Sequence, residues 1–470
     1  MQDSMRACVK SCKNGIILHL FTKEIDMRMM KRLCALLMLV SVAFGAEEVL
    51  RPKVADNVRF IAYDKGFHKL LDTTQRALLL YDKGVWLEGV QVLPNGDVVA
   101  SDVKQNMLLT FHGLDGAQDS KQDVENKGES GRTKNSKQVS KHAQKDSQSM
   151  QGVGADFSFR LVMLKPSHFQ NGHALDLQGR LIAASHGRRG IERLENGTWQ
   201  LLTDSYNGGK LNSPNDVVVD SRGEVWFSDP RFGLKNPLEG YGGEDMQGGD
   251  YLYRLSVLES SSAKHTPNTA ESKRDFQSLE SHAQGANKRA DSKEASKFPA
   301  QSKSGIESAQ IVRLHAKGLQ APNGLAFSPD EKLLYVADSA RAYNFDDKSL
   351  PAQILVYKVN ADRSLGAGRV FARIDSGIPD GIKVDHHGNV WSSSVRGIVV
   401  FAPSGKKLGE IVFPELVGNL AFSLSQAQKL ALQKQGVDVA YPNQKGKRLY
   451  VTSGSKLYML EVNVESGIRR

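Results

Sequence analysis

Leu211 to Pro230 reads LNSPNDVVVDSRGEVWFSDP, and this stretch decides how the chain is built. A polar tip, Asn215-Asp216, leads into the apolar run Val217 to Val219. Ser221-Arg222-Gly223 then supplies a tight turn, and Val225 to Ser228 forms a second run. Two β-branched or aromatic runs around a turn signal predict a β-hairpin. The pattern recurs as GVQVLPNGDVVASD (Gly89 to Asp102), NGHALDLQGRLIAASH (Asn171 to His186), NGLAFSPDEKLLYVAD (Asn323 to Asp338) and DGIKVDHHGNVWSS (Asp380 to Ser393). A sixth, weaker copy begins at Asn419 (NLAFS) and resumes at Lys447 (KRLYVTS).

The anchors Asn171, Asn215, Asn323 and Asp380 lie 44, 108 and 57 residues apart. The longest interval contains a low-complexity block. Without it, each spacing is close to the ~40–50 residues of a four-stranded propeller blade. Six copies predict an all-β, six-bladed β-propeller over 46–465. The polar residue that opens each hairpin then falls at the same end of each blade, beside the central channel. Glu88, Asn171, Asn215, Asn323, Asp380 and Asn419 are expected to converge there.

Residues 27–46, MRMMKRLCALLMLVSVAFGA, carry a positive start (Lys31, Arg32), an apolar run from Leu33 to Val42 and small residues at Ala43 and Gly45. That is the layout of a secretory signal cut near Ala46. Residues 1–45 are therefore read as an N-terminal extension and signal peptide, which predicts a periplasmic or secreted protein. The apolar run is short for a membrane span, and no later stretch approaches one. The three cysteines, Cys8, Cys12 and Cys34, all precede the expected cut. The remaining chain has no thiolate chemistry and no cysteine ligand for zinc. The formal charge of +10 is spread among interleaved Lys and Glu, with no basic helix and no nucleic-acid motif, so no nucleic-acid partner is expected. The composition does not address the oligomeric state. Two segments, 116–155 and 260–308, are rich in Ser, Lys, Gln, Asp and Glu. Neither buries enough apolar surface to offset ordering entropy, and both are expected to be disordered surface insertions.

Glu88, Asn215, Asn323 and Asp380 combine two carboxylates with two amides. Pro precedes the last three, and Gly follows Glu88, Asn323 and Asp380, which suggests rigid turns that aim a side chain. Asn-Gly and Asp-Gly are good turn residues in their own right. Four at one phase of a repeat, two of them carboxylates, point instead to a shared site. Hard oxygen donors suit one divalent cation, calcium first, with magnesium, manganese and zinc as alternatives.

These stretches, together with GKRLYVTSGSKLYML near the C-terminus, resemble the gluconolactonase/regucalcin (senescence marker protein) family over most of 80–460. The resemblance implies a six-bladed propeller with one divalent metal in its channel. It places the metal ligands at Glu88, Asn215, Asn323 and Asp380 and implies hydrolysis of sugar lactones or related cyclic esters. Asp380 is then the base beside the metal, and Asn171 and His186 contact substrate hydroxyls. Phe232 stands where many relatives carry Tyr, and the two insertions are not a family feature. The alternatives are a phosphotriesterase or arylesterase on the same scaffold, which would use the same metal chemistry, and a propeller that binds a ligand without catalysis.

Overall fold

The computed structural model describes residues 48–116, 157–259, 306–440 and 446–468. The expected leader lies outside these residues, as do 117–155 and 260–305 of the two expected insertions. Residues 306–308, assigned above to the second insertion, instead begin strand Ile306–Leu314.

Six antiparallel sheets form the six blades of a β-propeller. Blade 1 runs outward from Leu87–Val92 through Val98–Asp102 and Met107–His112 to Phe159–Leu164, with Glu48–Leu50 on its outer edge. Blade 2 comprises Gln170–Leu175, Leu181–Ser185, Gly190–Glu195 and Thr198–Thr203. Blade 3 comprises Val217–Val219, Val225–Asp229, Tyr251–Glu259 and Ile306–Leu314. Blade 4 comprises Pro322–Phe327, Leu333–Asp338, Gln353–Val359 and Leu365–Arg373. Blade 5 comprises Ile382–Val384, Val390–Ser394, Gly397–Phe401 and Lys407–Val412, with Arg59–Ala62 outside.

Blade 6 closes the ring from both ends of the chain. Val417–Phe422, Arg448–Ser453 and Lys456–Glu461 are C-terminal, while Ala77–Tyr81 and Lys53–Ala55 complete the sheet. Leu78 pairs with Met459 and Leu79 with Tyr458. The innermost strands are the first strands of the six sequence repeats, and each lies beside the next around the ring. The two expected insertions depart between the third and fourth strands of blades 1 and 3. In blade 3 the ladder continues to Glu259 and Ile306 on either side of that departure.

The hairpin turns follow from short local codes. In blade 3, Asp220 Oδ1 accepts from the amides of Arg222 and Glu224, and its Oδ2 accepts from Trp226 Nε1 at 3.1 Å. In blade 5, Asp385 repeats this with the amides of His387 and Asn389 and with Trp391 Nε1 at 3.0 Å. Gly223 and Gly388 close the two turns at φ of 83° and 82°, a region that costs a residue with a Cβ. Each tryptophan then meets the next blade edge-on: Trp226 against Phe327 at 5.2 Å and Trp391 against Phe422 at 5.5 Å. Both indoles are fully buried, which contributes about 4–6 kcal/mol each at 25 cal/mol/Å² over the 150–250 Å² of an aromatic side chain.

Replacing Asp385 by alanine leaves buried donors on Asn389 and Trp391 without an acceptor. The expected loss of stability is roughly 3 kcal/mol or more, read from denaturant unfolding. A loss below about 1 kcal/mol would show that water replaces the carboxylate at these donors.

The interruption between Asn419 and Lys447 holds a helix, Gln426–Lys434. It is capped by Ser425, whose Oγ accepts from Gln428 N while Gln428 Oε1 accepts from Ser425 N. The repeat reading assigned it no element, because a strand-period search is blind to a helix inserted in a hairpin.

Candidate functional site

Four of the inner strands enter the channel from a segment tied down by a hydroxyl on the second strand of a blade. The amide of Asp216 donates to Ser228 Oγ at 3.0 Å, that of Asp380 to Ser393 Oγ at 2.9 Å, and that of Asn419 to Thr452 Oγ1 at 3.0 Å. Ser101 Oγ donates to the carbonyl of Asn171 at 3.1 Å. Neighbouring strands are stitched together across the blade boundaries. Gly172 N donates to Asn215 O at 2.8 Å, Gly324 N to Asp380 O at 3.1 Å, and Gly381 N to Gly418 O at 2.8 Å. Glycine is required at Gly324, because an added Cβ would stand 2.2 Å from Asp380 O. Further out, Asp102, Asp229 and Asp338 accept from the amides of Val85, Asn212 and Ala321. These aspartates anchor the approach to the inner strands, as their positions at strand ends suggest.

The stitching sets the ring register and corrects one expectation. Gly418, not Asn419, is level with Asn215 and Asp380. Gly418 has no side chain to offer, and an added Cβ would lie 2.3 Å from Glu88 Oε1. The Glu88 carboxylate fills that place. Asn419 lies one residue further along, where its Oδ1 accepts from Lys383 Nζ at 3.3 Å. Lys383 also lies 3.9 Å from Asp216 Oδ2. The first strands of blades 1, 2 and 4 carry the same irregular register as Val417 to Asn419, so what differs in blade 6 is that Gly418, rather than a polar residue, stands at this position.

Five of the six expected positions belong to two linked groups. In the first, the Asp380 carboxyl is hydrogen bonded to the side chains of Asn323 and Glu88. Burial, then the charges of Asp216 and Glu239, push Asp380 up to about 8. Burial, then Asp380 and Asp216, drive Glu88 well above the usual carboxylate range. Asp216 is paired with Lys383, and Glu239 has Lys104 at 3.8 Å. Among the described residues, neither Glu88 nor Asp380 has a basic partner. The Oδ1 of Asn323, 4% exposed, has no hydrogen-bond partner among them either.

The second group is centred on His186, which is 2% exposed. Its Nδ1 donates to the carbonyl of Glu239 at 2.9 Å, so Nε2 carries the lone pair. The amide nitrogens of Asn171 and Asn215 approach Nε2 at 3.4 and 3.3 Å. Burial holds the imidazole down to about 4 and therefore neutral. Both ring nitrogens are engaged, and the oxygen ends of the two amides are left for other partners. The sequence reading missed Asp216, Glu239 and Lys383. Asp216 follows Asn215 and Lys383 sits three residues past Asp380, so both were legible as inner-strand residues. Glu239, in the loop after blade 3's second strand, carried no signal.

A divalent cation fits the first group on the chemistry of its donors. Two carboxylates face each other with no counter-charge, and a buried amide oxygen lacks a donor. Hard cations take such oxygen sets, and a positive charge would offset the cost of ionising both acids in a dry site. Among the described residues, no three His, Cys, Asp or Glu side chains are grouped as metal ligands, so the amides of Asn323 and Asn215 would have to complete the set.

Residues 94–270 and 286–433 match the family model described as the SMP-30/Gluconolactonase/LRE-like region. The chain is 30% identical over 251 residues to a gluconolactonase from Zymomonas mobilis, covering 51% of this chain and 53% of that protein. It is 23% identical over 257 residues to a lactonohydrolase from Aspergillus oryzae, covering 51% of this chain and 47% of the other. The chain thus spans about half the length of the curated relatives it matches. Among solved structures, a gluconolactonase from Xanthomonas campestris superposes with a TM-score of 0.58 at 26% identity, over 87% of this chain and 97% of that one.

Proposed function

The chain belongs to the SMP-30/gluconolactonase/LRE-like family, and from that premise we propose that it is a metal-dependent hydrolase of sugar lactones or related cyclic esters. One observation carries the reading. Glu88 and Asp380 meet at the channel without a basic partner, beside an orphaned amide oxygen of Asn323. The names of the relatives supply the substrate class.

In this reading Glu88, Asn215, Asn323 and Asp380 hold the cation, calcium first among the candidates. When bound, it supplies Lewis acidity at the lactone carbonyl and charge balance for the two acids. The chain's own groups do the rest. Asp380, fixed by Pro379 and by the bond from its amide to Ser393 Oγ, accepts the proton of the attacking water at a carboxylate oxygen. Asn323 keeps Asp380 oriented through their side-chain bond. Asn171 offers its amide oxygen to a substrate hydroxyl. His186 acts on Asn171 and Asn215 rather than on substrate, because its two nitrogens are already committed.

The test is hydrolysis of glucono-δ-lactone before chelation, after chelation, and after add-back of calcium, magnesium or manganese. Activity should vanish on chelation and return with one of these cations. Turnover that survives chelation would sink the metal-dependent reading. A cation bound at these residues with no lactone hydrolysed would leave a ligand-binding propeller.

A further inference from the structure

Glu239 stands in a loop, residues 230–250, that joins Val225–Asp229 to Tyr251–Glu259 at the carboxylate end of blade 3. The loop does not stay on its own blade. At Gly233 it lies against His186 of blade 2, where an added Cβ would come within 2.8 Å of the histidine side chain. At Tyr241 it reaches blade 1: Asn106 Nδ2 donates to Tyr241 Oη at 3.4 Å, and the Tyr241 ring meets Phe169 edge-on at 5.0 Å. Its base is fixed by Arg231, which bonds Asp250 at 2.5 Å and Asp245 at 3.1 Å. The crossing brings Glu239 to the site. Its carbonyl accepts from His186 Nδ1 at 2.9 Å, and its charge is felt at both Glu88 and Asp380.

The two oxygens of the Glu239 carboxylate are used unequally. Oε1 accepts from Asn236 Nδ2 at 2.7 Å and has Lys104 Nζ at 3.8 Å. Among the described residues, none donates to Oε2. Lys104 in turn lies 4.8 Å from the centre of the Trp86 ring, two residues before Glu88. The Glu239 side chain is 19% exposed and that of Lys104 30%, so a ligand entering from solvent can touch both. Charge around them is balanced. Lys104 is matched by Glu239, Lys383 by Asp216, and Arg188 by Glu192 at 2.8 Å. Arg189 is spent on the carbonyls of Leu211 and Glu244. With Glu88 and Asp380 offsetting a divalent cation, none of these basic groups is left over for an anionic substituent.

We propose that Glu239 is a specificity-determining residue, a role that rests on the lactonase reading above: its Oε2 accepts from the hydroxyls of a neutral, polyhydroxylated lactone ring, and its charge turns away rings that carry phosphate. An ionised carboxylate only accepts, so it pairs with hydroxyls and has nothing to give a phosphate oxygen. Its bonds to hydroxyls are charge-assisted and strong. Repulsion between like charges is a common means of rejecting the wrong partner. Lys104 works in the same direction. Held by Glu239, it is not free to receive the phosphate that it would otherwise attract.

Two measurements test this on the full chain with calcium present. The first is kcat/KM for glucono-δ-lactone and for its 6-phosphate. The second is calorimetric binding of 1,5-anhydroglucitol, a ring with the same hydroxyls and no carbonyl to hydrolyse, and of its 6-phosphate. Wild type should favour the neutral ring by about tenfold or more in both. Glu239→Gln should erase that preference. It keeps an oxygen for Asn236 and the backbone carbonyl that holds His186, so its cost on the neutral lactone should fall on KM rather than kcat. Lys104→Met leaves the Glu239 charge unopposed and should widen the preference. A wild type that takes the phosphorylated ring as readily, a preference unchanged in Glu239→Gln, or one that narrows in Lys104→Met would overturn the proposal. If no lactone is hydrolysed the lactonase reading fails, and the binding comparison by itself decides the role of Glu239.

Discussion

Asp380→Asn should lower lactone turnover by about 100- to 10,000-fold, the range expected when a general base is lost, with the propeller intact. The substitution is nearly isosteric. Its backbone anchors, Pro379 and the bond from its amide to Ser393 Oγ, do not involve the carboxylate. The new side chain still presents an oxygen to Asn323. What disappears is the carboxylate placed against both Glu88 and Asn323. Stability should move the other way in metal-free protein. Burial and the charges of Asp216 and Glu239 make the ionised Asp380 costly, so removing that charge should leave the thermal midpoint unchanged or higher. A folding defect would depress both quantities, and only the loss of chemistry separates them. An Asp380→Asn protein that hydrolyses lactone at the wild-type rate would refute the assigned role.

Glu88→Gln should act on metal affinity before it acts on chemistry. Glu88 contributes charge at the channel and is pressed into position by Gly418, which leaves room for its Oε1. A glutamine of the same shape keeps the packing and removes the charge. The cation concentration for half-maximal activity should rise beyond the roughly 10–100-fold that the loss of an outer-shell partner costs. At saturating cation much of the turnover should return, unlike in Asp380→Asn. A metal titration of lactone hydrolysis for the two variants reads this difference. Identical cation dependence in Glu88→Gln and wild type would exclude Glu88 as a ligand.

Both expectations concern residues that stand out in the repeat. Glu88, Asn323 and Asp380 were legible because each opens a first-strand hairpin at the same phase. Local chemistry carried that signal: Gly after each of the three, Pro before Asn323 and Asp380, and an apolar run that follows. Such codes act within about ten residues, so they survive in a linear reading. His186 was legible as a polar residue near the channel. Its contact with the amides of Asn171 and Asn215 was not, because the ring is oriented by the carbonyl of Glu239, 53 residues away.

The sequence alone determined the period, the strand-turn-strand units, the count of six, and which end of each hairpin carries polar residues. These follow from alternation and turn propensity, which are properties of neighbouring residues. Only the closed ring decided which side chains meet. Whether Gly418 or Asn419 stands level with Asp380 is settled by the bond from Gly381 N to Gly418 O, which forms only once the two blades lie side by side. Whether Glu88 and Asp380 find a counter-charge depends on where Lys383 and Lys104 come to rest, and both are drawn to other carboxylates. Side-chain charges act through space, and distance through space across a propeller is fixed by blade order and strand register, which local sequence does not encode.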